Sequence, residues 1–231
     1  MTDIDLLLEN GAAVAAMSGV EDGDCGWGGS ESGTRATFLE RAGVPPAKLV
    51  ALRQCHGDEI VVVAPDDAGR GARGRDSALA DADGLLTGHP GIPLGIMAAD
   101  CVPVFLASPG AVGLLHAGRE GTFQGIAGKG AALLCATYGV NLESIFAVIG
   151  PSAGPCCYEV SRELRDTCVA AGMVARGNHL DLWASNAEQL RGVGIPAARI
   201  RISGHCTLCQ PGHFSYRGQG TAARNLAVIM R

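Results

Sequence analysis

Ile92-Pro93-Leu94-Gly95-Ile96-Met97-Ala98-Ala99-Asp100-Cys101-Val102-Pro103-Val104-Phe105-Leu106-Ala107, then Ser108-Pro109-Gly110, then Ala111-Val112-Gly113-Leu114-Leu115-His116 is the stretch that decides the fold. Two long apolar runs flank a Ser-Pro-Gly break, and Pro and Gly are the strongest turn formers, so the pattern predicts buried strands joined by a hairpin-like turn. Cys101 and His116 lie on either side of that turn. Upstream, Ile60-Val61-Val62-Val63 predicts another strand within residues 58–64, followed by polar, glycine-rich turn material over 65–75. Helical spacing over 35–42 predicts a helix that Gly43-Val44-Pro45-Pro46 ends. Downstream, helices are expected over 122–138, stopped by Gly139, over 161–172 and over 181–193. Strands are expected over 145–149 and 199–203, and a last helix from about Thr221 would turn Leu226 and Ile229 inward. The first 34 residues, with Gly26, Gly28, Gly29 and Gly33 around Trp27, read as a loop region preceding one domain over 35–231.

Composition narrows the class of function. At 231 residues, with 47% apolar content, the chain is long enough for a sizeable core. No apolar run reaches the roughly 20 residues of a membrane span, and the start Met1-Thr2-Asp3-Ile4-Asp5 is acidic where a secretory signal would be basic, so a cytoplasmic protein is expected. A net charge of −5 with 18% charged residues lacks the basic footprint of a nucleic-acid binder, which points to a small-molecule substrate. Nine cysteines, an odd number, read as thiols and possible ligands rather than a disulfide framework, most of them buried.

Several strings imitate known motifs. Gly69-Arg70-Gly71-Ala72-Arg73-Gly74 fits G-x-G-x-x-G but lacks the strand before it and the helix after it that a dinucleotide site requires. Gly125-Ile126-Ala127-Gly128-Lys129-Gly130 has the wrong spacing for a phosphate loop and reads as helix interior. Gly150-Pro151-Ser152-Ala153-Gly154 follows a predicted strand and matches the nucleophile elbow of serine hydrolases, with His179, His205 or His213 as partner. Cys206-Thr207-Leu208-Cys209, with His205 and His213 beside it, is one metal knuckle where structural zinc modules use two, so buried thiols next to a turn are the preferred reading. The adjacent pair Cys156-Cys157 reads as reduced, because a bond between neighbours is strained. No histidine is followed two residues later by glutamate, so the H-x-E signature of nucleobase deaminases is absent.

Three short strings stand apart: Gln54-Cys55-His56-Gly57, Ala98-Ala99-Asp100-Cys101 and Leu115-His116-Ala117-Gly118. They offer a His, Cys, His set, and three protein ligands with an open fourth position are what a catalytic zinc uses.

Those strings, with Asp81-Ala82-Asp83-Gly84-Leu85-Leu86-Thr87, Ala99-Asp100-Cys101-Val102-Pro103-Val104, the run 149–160 through Gly150-Pro151-Ser152-Ala153-Gly154-Pro155-Cys156-Cys157-Tyr158-Glu159-Val160, and Phe214-Ser215-Tyr216-Arg217, occur in the order of the YfiH family, which the chain resembles from about Arg35 to its end. Members have been called laccase-domain or multicopper polyphenol oxidases, and later purine nucleoside phosphorylases with adenosine deaminase and methylthioadenosine phosphorylase activities. The resemblance implies an α+β fold, a single-domain layered β-sandwich-like core flanked by helices. It implies zinc on His56, Cys101 and His116, with copper as the alternative metal. It also implies a purine nucleoside and phosphate as substrates. Two departures bear on substrate range. Family members commonly read His-Ala-Gly-Trp-Arg-Gly where this chain has His116-Ala117-Gly118-Arg119-Glu120-Gly121, which removes an aromatic that could stack on a purine, and the family's N-terminal Thr-Arg-x-Gly-Gly segment is not recognisable around Ala16 to Asp22. Separately, alanine usually stands in place of Ser152, which weighs against the serine hydrolase reading.

Phosphorolysis adds its own requirements. Breaking the bond from C1′ to the base needs a held phosphate and a stabilised leaving base. Arg35, Arg119 and Arg217 are the candidate phosphate ligands, because a guanidinium binds phosphate bidentately. Cys101, Asp100 and Asp83 are the candidate catalytic groups, the two carboxylates as proton carriers or as groups that fix a ligand's geometry. The other readings carried forward are a copper polyphenol oxidase, a serine hydrolase using Ser152, and a non-catalytic metal-binding protein; oligomeric state is left open.

Overall fold

The computed structural model describes residues 3–231. In chain order its helices are α1 (Asp3–Glu9), α2 (Trp27–Ser32), α3 (Thr34–Arg41), α4 (Arg119–Gln124), α5 (Ile126–Tyr138), α6 (Arg162–Ala170), α7 (Leu182–Gly192) and α8 (Tyr216–Gln219). The strands are β1 (Val14–Met17), β2 (Val50–Ala51), β3 (Ile60–Val62), β4 (Gly84–Thr87), β5 (Leu94–Ala98), β6 (Val102–Ala107), β7 (Val112–Ala117), β8 (Phe146–Ile149), β9 (Ala175–Arg176), β10 (His179–Leu180), β11 (Ile200–Ile202) and β12 (Asn225–Met230).

The strands form a six-stranded sheet in the order β11-β8-β6-β7-β4-β3, a four-stranded sheet in the order β1-β12-β5-β2, and the ribbon β9-β10. Alternation along each strand divides its residues between two interiors. Phe105 and Ala107 of β6, Val112 and Leu114 of β7, and Phe146 and Val148 of β8 pack against Leu94, Ile96, Ala227 and Ile229 of the smaller sheet. On the opposite face, Val104, Leu106, Leu115 and Ile149 meet Ile126, Ala131 and Leu134 of α5 and Leu182 and Leu190 of α7. Phe38 and Leu39 of α3 cover Met97, Leu226 and Val228 on the outer face of the four-stranded sheet. The result is helix, sheet, sheet, helix, the layered α+β arrangement the resemblance implied. Coverage on both faces explains why β6 and β7 are apolar at nearly every position.

The predicted hairpin is present. β6 and β7 pair antiparallel from Val102↔Ala117 to Ala107↔Val112. The Ser108 hydroxyl donates to the Ala111 carbonyl at 2.8 Å and accepts from its amide at 3.2 Å, closing the turn from inside. The first apolar run, however, is two strands in two sheets. It breaks at Asp100, whose φ of 88° no extended strand can contain. The expected helix over 122–138 is likewise two, parted at Gly125 with φ 88°.

Two expectations are corrected. Residues 1–34 are not simply a loop: β1 pairs with β12 from Val14↔Met230 to Met17↔Ala227, and α1 buries Leu7 in the interior between the sheets. The C-terminal segment is a strand, not a helix. β12 pairs with β1 on one side and with β5, from Asn225↔Ala98 to Ile229↔Leu94, on the other. The spacing of Leu226 and Ile229 imitates a helix because both faces of this central strand are buried. Among the described residues no helix is long and apolar enough to cross a membrane.

Candidate metal centre

Strand register assembles the site. Pairing Val102 with Ala117 sets Cys101, just before β6, beside His116, near the end of β7. Pairing Gly84 with Leu115 sets Asp83 next to His116, whose amide donates to the Asp83 carbonyl at 2.7 Å. Gly84 has no room for a side chain, since a Cβ there would lie 2.8 Å from Ile60 Cγ1 and from Leu115 Cδ2. β3 runs parallel to β4, so the loop before it, residues 54–57, opens at the same end of the sheet. Gln54 ties that loop to β5: its Nε2 donates to the Met97 carbonyl at 2.7 Å and its Oε1 accepts from the Met97 amide at 2.9 Å.

The donor atoms of His56, Cys101 and His116 all lie within 4.8 Å of one another. The rings of His56 and His116 meet edge to face, 5.0 Å between centroids. Gly118 permits this closeness, because a Cβ on it would sit 3.1 Å from Cys101 Sγ and 3.5 Å from the His56 ring. Asp83, fully buried, organises the rest. Its Oδ1 lies 2.7 Å from His116 Nδ1 and accepts the His56 amide at 3.0 Å, and its Oδ2 accepts the amides of Gly57 at 2.7 Å and Cys55 at 3.2 Å. Three successive amides wrapped on one carboxylate explain why His56 holds φ 63°. A carboxylate on Nδ1 leaves Nε2 of His116 as the nitrogen available to a metal.

The electrostatics suit a cation. Burial alone would raise the Asp83 carboxyl, but the His116 and Cys55 hydrogen bonds and the Gly57 amide outweigh it and hold the group at about 2. Burial likewise opposes charge on Cys101 and His116, yet their mutual attraction, aided by His56 for the thiol and by Asp83 for the imidazole, lowers Cys101 and raises His116. Both shifts run in the direction that favours a thiolate on Cys101 beside a protonated His116 ring. A soft sulfur and two imidazoles match what zinc or copper takes.

The three donors open into a cavity of about 570 Å³, whose lining includes Trp27, Tyr158, Tyr216, Arg53, Arg75, Arg217 and Arg224. Arg217 stacks on Tyr158 with its guanidinium carbon 4.5 Å from the ring centre, and Arg224 on Tyr216 at 5.5 Å. Aromatic rings absent after His116-Ala117-Gly118 line the cavity from other segments.

Of the arginines singled out in the sequence, Arg217 lines this cavity. Arg35 does not: it is 2% exposed, and its guanidinium is spent on the carbonyls of Cys25, Gly26 and Gly71 and stacked against Trp27, so it braces the N-terminal segment and is corrected as a phosphate ligand. Arg119 begins α4 beside Glu120 and is not among the lining residues. Arg53, Arg75 and Arg224 line the cavity as well, and nothing local in the sequence distinguishes them from surface arginines. Asp100 lines the cavity, but Oδ1 accepts from the Thr207 hydroxyl at 2.7 Å and Oδ2 from the Arg217 amide at 2.6 Å, so it clamps two loops onto the Cys101 turn.

Ser152 is no exposed nucleophile. It is fully buried, its hydroxyl donating to the Gly150 carbonyl at 3.0 Å and accepting from Trp183 Nε1 at 2.7 Å, and no helix follows it directly. The serine hydrolase reading is thereby corrected. The cysteines also differ from expectation: of nine, Cys25, Cys168 and Cys206 are buried, while Cys55, Cys156 and Cys209 are exposed.

Known proteins share this architecture. Purine nucleoside phosphorylase YlmD of Geobacillus stearothermophilus is 35% identical over 215 residues, covering 85% of this chain and 77% of that protein. Adenosine deaminase RL5, from an unknown prokaryotic organism, is 33% identical over 212 residues, covering 85% and 80%. The crystal structure of YlmD from Geobacillus stearothermophilus superposes with a TM-score of 0.80, at 35% identity over 86% of this chain and 78% of that one. That of the Bacillus licheniformis hypothetical protein YfiH does so with 0.79, at 31% identity over 86% and 79%. Residues 32–231 match the model of the family described as multi-copper polyphenol oxidoreductase laccase. With that match, the sequence identity and the shared fold, the chain belongs to the laccase-domain, or YfiH, family.

Proposed function

We propose that the chain is a zinc-dependent purine nucleoside phosphorylase acting on adenosine, inosine, guanosine or methylthioadenosine. The observation that carries this reading is one cavity that joins a His56, Cys101, His116 donor set to four arginines and three aromatic rings. Relatives named purine nucleoside phosphorylase support the substrate class.

Each part has a job in the reaction. Arg75, Arg53 beside its Asp81 ion pair, and the guanidinium nitrogens that Arg217 and Arg224 do not give to the Glu159, Thr221 and Ala223 carbonyls hold phosphate near C1′, where its oxygen forms the new bond as the bond to the base breaks. Tyr158, Tyr216 and Trp27 offer faces on which the purine stacks. Asp83 fixes the tautomer and direction of His116, and Asp100 fixes the turn carrying Cys101, so both act through the ligands. Zinc, when bound, supplies a Lewis acid that polarises the substrate.

The donor set favours zinc over laccase chemistry. A multicopper oxidase needs many more histidines than the two that meet here. Deamination of adenosine at the same site is the second activity, favoured by the relative named adenosine deaminase.

The test is metal analysis with product assays on adenosine, inosine, guanosine and methylthioadenosine, with and without phosphate. Free base and ribose 1-phosphate, or 5-methylthioribose 1-phosphate from methylthioadenosine, that form only with phosphate are the expected products. Inosine and ammonia from adenosine without phosphate report deamination. Cys101→Ala and His116→Ala should each lose the metal of this site and nucleoside turnover with the fold intact. Full activity in either variant overturns the assignment.

A further inference from the structure

The sequence contains one Cys-x-x-C knuckle, and the fold supplies the second pair of cysteines. β8 and β11 run parallel from Ile200↔Ala147 to Ile202↔Ile149, so the segments that leave their C-terminal ends stay side by side. Ser152 and Cys206 continue the pairing as a bridge, the Ser152 amide donating to the His205 carbonyl at 3.1 Å and the Thr207 amide to the Ser152 carbonyl at 3.1 Å. Just beyond, Cys156 and Cys157 on one segment meet Cys206 and Cys209 on the other, with all four sulfurs within 4.8 Å of one another.

We infer that Cys156, Cys157, Cys206 and Cys209 form a closed, structural tetrathiolate site for zinc, separate from the His56, Cys101, His116 centre. Three observations carry it. Tetrahedral zinc with Zn–S bonds of about 2.3 Å places its sulfurs about 3.8 Å apart. Cys156 and Cys209 already stand at 3.7 Å, far from the roughly 2.05 Å of a disulfide, and all four are free thiols. The second observation is the turn itself. The Cys206 sulfur accepts the Gly154 amide at 3.3 Å and is approached by the amides of Leu208 and Cys209, the arrangement in which a Cys-x-x-C loop offers a thiolate to a metal. The third is donor type. Four soft sulfurs with no carboxylate or imidazole among them select a thiophilic tetrahedral ion and leave no position for substrate.

The site stands behind the wall of the cavity. Cys157 precedes Tyr158, and Cys206 precedes Thr207, whose hydroxyl holds Asp100 beside Cys101. A metal here pins both loops and so holds that wall in place.

Cobalt(II) reconstitution followed by metal analysis and absorption spectroscopy distinguishes the two centres, because charge-transfer intensity scales with the number of thiolates on the cobalt. The intact chain should bind about two metal ions, and His116→Ala should keep about one, with the absorption of a four-thiolate cobalt. Cys156→Ser and Cys209→Ser should each lose that signal and keep the weaker one-thiolate signal of the other centre. If the serine variants fail to fold, His116→Ala still decides the matter. A His116→Ala protein that binds no metal, or that carries a disulfide among these four cysteines by mass analysis, overturns the inference. So does a Cys209→Ser protein with an unchanged spectrum. Loss of the one-thiolate signal alone from the intact chain would count against the nucleoside-site reading and leave this one standing.

Discussion

Asp83→Asn removes one charge and moves no heavy atom, so it isolates what the buried carboxylate does. Each oxygen accepts at least two donors: His116 Nδ1 and the His56 amide on Oδ1, the Gly57 and Cys55 amides on Oδ2. An asparagine must turn its NH2 toward one of these pairs, losing two charge-assisted hydrogen bonds and facing donor with donor. At about 1.5–3 kcal/mol for a hydrogen bond to a charged group, part of it recovered by relaxation, the loss is about 3 kcal/mol. The carboxyl's own titration gives a similar figure. A group held at about 2 in the fold and near 3.9 in the unfolded chain contributes on the order of 2–3 kcal/mol at neutral pH. Because the folded value is depressed, this stability is complete above the unfolded value and drains away as pH falls toward 2. In the metal-free protein, thermal melts should place Asp83→Asn about 6–12 °C below wild type at pH 7, at about 2–4 °C per kcal/mol for a chain of this length. The gap should close as pH falls from 5 to about 2. Metal affinity at the His56, Cys101, His116 centre, measured by chelator competition, should fall about 10–100-fold, the usual cost of losing a group that orients a ligand. A variant with wild-type melting and wild-type affinity would refute the reasoning. Reduced stability with unchanged affinity would leave Asp83 as a loop clamp without influence on the metal.

Other substitutions address separate parts of the argument. Phe105→Ala, between the two sheets, should cost about 3–5 kcal/mol in denaturant unfolding while leaving metal content unchanged. Gly84→Ala should cost about 1–3 kcal/mol by forcing apart Ile60 and Leu115, with metal affinity falling as Asp83 shifts. Arg224→Ala should raise the KM for phosphate about tenfold or more and that for the nucleoside much less, in steady-state assays varying each substrate; an equal effect on both would move Arg224 out of the phosphate role. Ser152→Ala should lose about 1 kcal/mol with the Trp183 bond and keep its turnover, whereas abolished turnover in a folded protein would revive Ser152 as a nucleophile.

The parts of this molecule that were legible in the sequence are those fixed by short-range chemistry. The hairpin follows from two apolar runs around Ser108-Pro109-Gly110, and the strings carrying Cys101 and His116 flank strands that the same pattern predicts. What escaped was set by partners far along the chain. β1 is an alanine-containing four-residue strand that exists because β12, some 200 residues later, offers it an edge. β12 in turn reads as a helix until β1 and β5 are seen to bury both its faces. Arg35 has the composition of a phosphate ligand, and only its burial shows that backbone carbonyls consume it. The four-cysteine cluster was invisible for the same reason, since its halves meet through the pairing of β8 with β11.

Register explains how three residues singled out in the sequence, Asp83, Cys101 and His116, come to lie at one end of the sheet. Counting by twos from Val112 and Leu114, which face the smaller sheet, leads to His116; counting back from Ala107 and Phe105 leads to Cys101, and back from Leu85 to Asp83. All three therefore project on the side of the inter-sheet interior, at its open end where the cavity begins. A slip of one residue in β7 would turn His116 toward α5 and bring Leu115 or Ala117 to the mouth, stranding a polar ring in the helix-side core and an apolar group at the cavity. The hydrophobic alternation that makes such a slip costly is thus the same feature that aims Asp83, Cys101 and His116 at one another. The amide nest around Asp83 and the positive φ at Asp100 then make only the final local adjustments.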